Sequence, residues 1–239
     1  MRIIAKATDA AVWSAAMRRE GRSIGFVPTM GALHQGHLTL VARAKAECDA
    51  VCVSIFVNPL QFNNPDDLRH YPRQLEQDRG LLTGAGCDML FVPEEASIFQ
   101  EHSPRLFDLG GQDNILEGPS RPGHFQGVVN VVERLFHYIR PDAAFFGEKD
   151  RQQLAVIQHV AHTLHWPERI VPCPTERAPD GLALSSRNLR LSPQERAVAP
   201  VLYQCLQSVA GSAFREPVTS AKEHGLRLLR AAPSIRLEY

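Results

Sequence analysis

Short apolar runs punctuate the first three quarters of the chain, at 24–27, 50–57, 88–92, 143–146 and 169–171. Several are nearly continuous rather than alternating, the pattern of strands buried on both faces of a parallel sheet. Between them the period lengthens. Over 125–139, Val128, Val132, Leu135, Phe136 and Ile139 repeat at helical spacing. Leu154, Ile157, Val160, Ala161 and Leu164 do the same. Strand and helix alternate in order, which predicts an α/β fold: a Rossmann-like, doubly wound parallel sheet.

After Pro174 the chain turns polar over 175–190, then reads Ser192-Pro193-Gln194-Glu195. Ser192 and Glu195 have capping-box spacing, and Pro193 falls at the first helical position, where a missing N–H costs nothing. A second, smaller α+β domain is therefore expected. It runs helically through Val209 and again over 217–231, and the alternating segment 235–239 reads as a strand. The division predicted is 1–175 and 176–239.

Composition narrows the function. Lys plus Arg and Asp plus Glu both total 26 of 239 residues, so no global field draws in nucleic acid or an anionic membrane. An anionic ligand must be held by local groups. Cys48, Cys52, Cys87, Cys173 and Cys205 are an odd number, mostly in or beside apolar runs, which suits reduced thiols. Cys48 and Cys52 lack the Cys or His partners that would complete a metal set. The first twenty residues hold Lys6, Asp9, Arg18, Arg19 and Glu20 and no apolar signal core, and no apolar stretch approaches a membrane span, so a cytoplasmic protein is expected.

The strongest chemical signal is 27–37, Val-Pro-Thr-Met-Gly-Ala-Leu-His-Gln-Gly-His, leaving a predicted strand and entering a helix expected from Leu38. His34 and His37 would present imidazole N–H donors at a helix N-terminus, where backbone N–H groups already favour an anion. Gly36 removes a Cβ that would hold a phosphate away. The plainer alternative is a pair of structural histidines in a turn. His159, His162 and His165 are also three apart, but in a helix interior without the glycine or the strand-to-helix turn; they read as a solvated face.

A second strand-to-helix turn is 145–150, Phe-Phe-Gly-Glu-Lys-Asp. Ligands gather outside the carboxyl ends of strands in such sheets, so this turn and the histidine turn can share one crevice, with Lys149 supplying a mobile positive charge. An ordinary loop of exposed charges is the competing reading. A third segment, 177–188, contains Ser185-Ser186-Arg187, two hydroxyls and a guanidinium suited to phosphates, though such triplets are common in loops. Neither a P-loop nor a dinucleotide glycine fingerprint is present.

Together 28–37, 54–62, Tyr71-Pro72-Arg73, 117–127, 145–154 and 180–188 resemble the pantothenate synthetase (pantoate:β-alanine ligase) family, of the nucleotidyltransferase superfamily with HxGH motifs. The matches run in order over nearly the whole chain. The resemblance implies two half-reactions: pantoate attacks the α-phosphate of ATP, releasing pyrophosphate, and β-alanine then attacks the acyl-adenylate, releasing AMP. It implies His34, His37 and Lys149 as the stabilisers of the first transition state, with Mg²⁺ on the triphosphate. It places Met30, Gly31, Ala32, Leu33, Gln35, Gly36, Gly147, Glu148, Asp150, Glu176, Leu184, Ser185, Ser186 and Arg187 with them around ATP. Asn58, Gln61 and Gln153 match positions for pantoate, Gln61 also reaching β-alanine; amides both donate and accept, as a dihydroxy acid requires. Arg121 and His124 match a polar pair near the substrate crevice, with ordering of their own loop as the alternative. Asp78 matches a position associated with Mg²⁺, although a solvated helix carboxylate is the simpler expectation. Family members are homodimers.

Two departures stand out. Glu176 occupies a position that is apolar in the family, and the family's chains continue some forty residues past Tyr239, so the second domain, a lid over the nucleotide, reads as incomplete relative to the family. Two alternatives to the ligase follow: a nucleotidylyltransferase of the same superfamily, against which Gln61 and Gln153 speak, and a catalytically weak nucleotide-binding module.

Overall fold

Ile24 and Phe26 face one apolar layer and Val27 the other, so a single strand needs cover on both sides. The computed structural model, which describes residues 1–99, 103–232 and 235–237, supplies that cover with helices. Its strands are β1 (Arg2–Ile4), β2 (Ile24–Thr29), β3 (Ala50–Ile55), β4 (Met89–Phe91), β5 (Ala143–Gly147) and β6 (Arg169–Cys173). All pair in parallel in the order β1-β4-β3-β2-β5-β6. The expected α/β sheet is present, and β1, three residues long at one edge, is the strand that the apolar pattern did not announce.

The helices of the first unit are α1 (Ala7–Arg19), α2 (Gln35–Glu47), α3 (Pro65–Arg69), α4 (Leu75–Gly84), α5 (Glu95–Ile98), α6 (Glu117–Ser120), α7 (His124–Ile139) and α8 (Arg151–Thr163). Trp13 of α1, Leu135 and Phe136 of α7, and Leu154 and Ile157 of α8 pack on the face of Phe26. Leu40, Val41 and Ala44 of α2 and Leu82 of α4 cover the face of Val27. Burying an aromatic or branched side chain of this size contributes about 1.5–3 kcal/mol, so these layers fix the sheet.

The chain forms two compact units, Met1–Pro174 and Thr175–Tyr239. The second unit holds α9 (Pro193–Val198), α10 (Val201–Ser212) and α11 (Val218–Ala231). Ser192 caps α9 in the expected box: its side chain accepts the N–H of Glu195 at 3.2 Å, and the Glu195 carboxylate accepts the N–H of Ser192 at 2.8 Å. The strand expected over 235–239 does not form at 235–237; Glu238 and Tyr239 lie outside the described residues.

One histidine departs from its expected place. His162 and His165 are exposed, but His159 is half-buried against Gly110, and its Nε2 is buried without a hydrogen bond. The 103–110 segment folds over α8, burying Phe107 and Leu109 with Val156 and Val160, a contact between distant stretches that local spacing does not encode.

Candidate active site

The strand order reverses at β2: β3 follows it to one side, while β5, far along the chain, lies on the other. At such a switch point the connections leave in opposite directions and open a crevice above the strand ends. Here the opening is reinforced chemically. Ile24 exchanges hydrogen bonds with Asp142 on the β5 side, its N–H donating to the carboxylate at 2.7 Å and its carbonyl accepting the Asp142 N–H at 2.9 Å. Backbone groups alternate sides along a strand, so Pro28 faces β5 too and has no N–H to donate. Pairing with β5 stops at Phe26↔Ala144, whereas pairing with β3 continues to Thr29↔Ile55.

The turn that leaves β2 is built by its backbone. Gly31 has φ 83° and Ala32 φ 49°, both left-handed. A Cβ on Gly31 would sit 2.9 Å from Cγ2 of Ile55 and 3.1 Å from a carboxylate oxygen of Asp78, so the position requires glycine twice over. The Thr29 hydroxyl donates to the Ser54 carbonyl at 2.7 Å and accepts the Gly31 N–H at 3.1 Å. Asp78 then accepts the N–H of Ala32 at 2.9 Å and of Leu33 at 2.7 Å. The expectation of a solvated carboxylate at Asp78 is therefore corrected: the side chain is 1% exposed and holds the turn from inside. Burial pushes its pKa up, while the two N–H bonds draw it down.

The turn delivers α2, which starts at Gln35 rather than Leu38 and is capped by the histidines themselves. Nδ1 of His34 accepts the Gly36 N–H at 3.1 Å, and Nδ1 of His37 accepts the His34 N–H at 3.2 Å, a capping box made of imidazoles. A ring nitrogen that accepts carries no proton, so each neutral ring holds its proton on Nε2. The rings lie 4.1 Å apart. Burial first, then the Lys149 ammonium, lowers the pKa of His34. Burial, then His34 and Lys149, lowers that of His37 to about 3. Both rings are thus neutral N–H donors at neutral pH, and the three groups expected to converge share one electrostatic neighbourhood. Lys149 itself is ion-paired with the Asp150 carboxylate at 3.0 and 3.2 Å. A Cβ added to Gly147, at the end of β5, would meet nothing within 4 Å.

The predicted substrate residues meet this turn from the β3 side. Asn58, 1% exposed, donates to the Gln61 side-chain oxygen at 3.1 Å and to the Gly127 carbonyl at 3.0 Å, and caps the short helical turn Pro59–Gln61. The Gln61 amide donates to the Met30 sulfur at 3.0 Å, linking the two predicted subsites. His124 is buried, and its Nδ1 lies 2.7 Å from the Gln61 carbonyl; a carbonyl only accepts, so Nδ1 carries the proton. Its pKa is lowered, chiefly by burial. Arg121 pairs with Glu117 at 3.4 Å. Gln153 is half-buried in the first turn of α8. Its neighbour Gln152, which the motif reading passed over, binds the carbonyls of Gln112 and Ile115 at 2.8 Å and the N–H of Glu117 at 3.0 Å.

In the second unit, Glu176 accepts the Leu184 N–H through its carbonyl at 2.9 Å, and Ser185 caps the helical turn Ser186–Arg190 by accepting the Arg187 N–H at 3.2 Å. Arg177 lies over the Tyr203 ring at 3.9 Å. Among the described residues, no group of three or more His, Cys, Asp or Glu side chains could hold a metal ion. Among them too, the five thiols are free, and no helix is long and apolar enough to cross a membrane.

Sheet and site together define a Rossmann-like α/β protein of the nucleotidyltransferase type. A family profile described as pantoate-beta-alanine ligase matches residues 2–239. The pantothenate synthetase of Cytophaga hutchinsonii is 49% identical over 225 residues, covering 93% of this chain and 79% of that protein. That of Thermus thermophilus is 50% identical over 229 residues, covering 94% and 82%. The crystal structure of pantothenate synthetase from Thermus thermophilus superposes with a TM-score of 0.94 at 46% identity, covering 100% of this chain and 86% of that one. The pantoate-beta-alanine ligase of Francisella tularensis, complexed with beta-gamma ATP and beta-alanine, superposes with a TM-score of 0.82 at 38% identity, covering 96% and 86%. The chain belongs to the pantoate-beta-alanine ligase family.

Proposed function

We propose that the chain joins pantoate to β-alanine in two ATP-driven steps. Pantoate carboxylate attacks the α-phosphorus of ATP and expels pyrophosphate; the β-alanine amine then attacks the acyl carbon of the adenylate and expels AMP. The amine is the nucleophile in the second step, so no covalent enzyme intermediate is needed. The observation that carries this reading is the pair of neutral imidazoles at the start of α2, their Nδ1 atoms occupied by backbone N–H groups and their protons left on Nε2, in the field of Lys149. Donors preorganised where negative charge develops lower the barrier by about 3–4 kcal/mol each.

His34 and His37 donate to the α-phosphate oxygens, and Lys149 exchanges its Asp150 partner for the triphosphate. Asn58, Gln61 and Gln153 receive pantoate, and Gln61 extends to β-alanine. Met30, Gly31, Ala32, Leu33, Gln35, Gly36, Gly147 and Glu148 border the nucleotide; in the second unit, Glu176, Leu184, Ser185, Ser186 and Arg187 are the positions that match nucleotide contacts of the family. Arg121 and His124 order the loop around Gln61, a role supported by the His124–Gln61 bond. Asp78 already serves two backbone N–H groups, so a Mg²⁺ ion would be held by the triphosphate and water, where it would screen the phosphate charge. The working form is a cytoplasmic homodimer, a location supported by the free thiols.

Pantoate-dependent exchange of labelled pyrophosphate into ATP isolates the first step, and pantothenate with AMP reports both. The expected result is exchange without β-alanine and stoichiometric pantothenate with it. Nucleotide binding with neither product would reduce the chain to a binding module. Sedimentation velocity reads the dimer.

A further inference from the structure

We propose that Asp78 is a positioning residue: from α4 its carboxylate grips the two N–H groups that precede His34 and thereby sets the register of both imidazoles. The inference rests on the proposed function for its kinetic consequence but not for its structural one. Asp78 lies far along the chain from the turn, on the helix that packs under it, and meets Ala32 at 2.9 Å and Leu33 at 2.7 Å, one oxygen to each. The carboxylate is 1% exposed, and the glycine at 31 leaves the space into which its oxygen fits, 3.1 Å from a Cβ built there.

The chain from clamp to chemistry is short. Ala32 is left-handed at φ 49°, a conformation an alanine holds only when its surroundings impose it. Leu33 leads directly to His34, whose N–H must point at Nδ1 of His37 to close the cap. Release of the two N–H groups lets Ala32 relax, rotates the His34 peptide, and removes the bond that keeps the His37 proton on Nε2. The donor toward the phosphate is then lost without either histidine being touched.

Asp78→Asn tests this, because the amide turns one acceptor into a donor facing an N–H. Expected are a drop in exchange kcat of about 10- to 100-fold, as for small misplacements of catalytic groups, and KM for ATP within about threefold. Long-range ¹H–¹⁵N spectra should show His34 and His37 losing the pure Nε2–H tautomer. A structural residue remote from the turn would leave those spectra unchanged, and that result would overturn the proposal. So would a raised Mg²⁺ requirement with unchanged tautomers, since Asp78 would then act as a metal ligand. In the unsubstituted protein, the amide shifts of Ala32 and Leu33 should follow the protonation of Asp78. Their indifference to pH would refute the clamp even if the variant failed to fold. The spectra remain readable should the protein make no pantothenate, which keeps this failure separate from failure of the proposed function.

Discussion

The backbone N–H of His34 donates to Nδ1 of His37 across 3.2 Å, so the fold assigns the proton of His37 to the opposite side of its ring. A helix cap that elsewhere takes a serine or aspartate is here made by the side chains the chemistry needs. Structural and catalytic uses of the ring divide between its two nitrogens.

That division predicts the outcome of two substitutions. His37→Asn keeps an acceptor near the Nδ1 position and removes Nε2–H. It should fold with a melting temperature close to the parent and lose about 10²- to 10³-fold in exchange kcat, the usual cost of one preorganised donor. His37→Gln carries the amide that a capping box commonly has at this position, so it should fold as well as His37→Asn, and its longer side chain can place an N–H near the Nε2 position, so it should keep more of the exchange kcat. Calorimetry and exchange kinetics on both variants check equal stability with unequal activity.

The lowered pKa of His37 carries a stability signature. Between pH 6.5 and about 3 the unfolded chain binds a proton that the folded ring refuses, so stability rises with pH across that window and is lost as pH falls through it. Above 6.5 the contribution is fully present. The slope from this one ring is about 1.4 kcal/mol per pH unit at most. Urea midpoints measured across the window should be less steep for His37→Asn than for the parent.

Lys149→Met should abolish most exchange while barely moving the melting temperature, because its Asp150 partner is a largely exposed pair and such pairs contribute about 0–1 kcal/mol. With the ammonium gone, the pKa values of His34 and His37 should both rise, since Lys149 lowers each. Histidine Cε1–H titrations followed by NMR read the shift; its absence would separate Lys149 from the imidazole pair in solution.

Gly127→Ala probes the seat of Asn58 and Gln61. A Cβ at Gly127 would lie 2.2 Å from the Leu60 carbonyl oxygen, so α7 and the Pro59–Gln61 turn must separate. Loss of about 1–3 kcal/mol is expected, with KM for pantoate rising more than KM for ATP. Chemical denaturation and substrate titrations distinguish this from a general loss of fold.

Periodicity and motif spacing carried much of this protein. The buried strands at β2, β3 and β5 need unbroken apolar runs to face helices on both sides, and α7 needs its 3.6-residue stripe; both are local demands, written in adjacent residues. The Ser192–Glu195 cap is local in the same sense. Tertiary structure decided what depends on contacts between distant segments. Asp78 reads as a helix-surface carboxylate until α4 is laid under the glycine turn, where burial and two N–H groups make it a clamp. His159 reads as solvated until the 103–110 segment folds across it. Lys149 and the histidines belong to separate motifs, and only the reversal of strand order at β2, widened by the N–H that Pro28 lacks, puts an ammonium in the field of two imidazoles. Sequence specifies such meetings through the whole core at once, because the free energy that holds them is spread over every layer that packs the sheet.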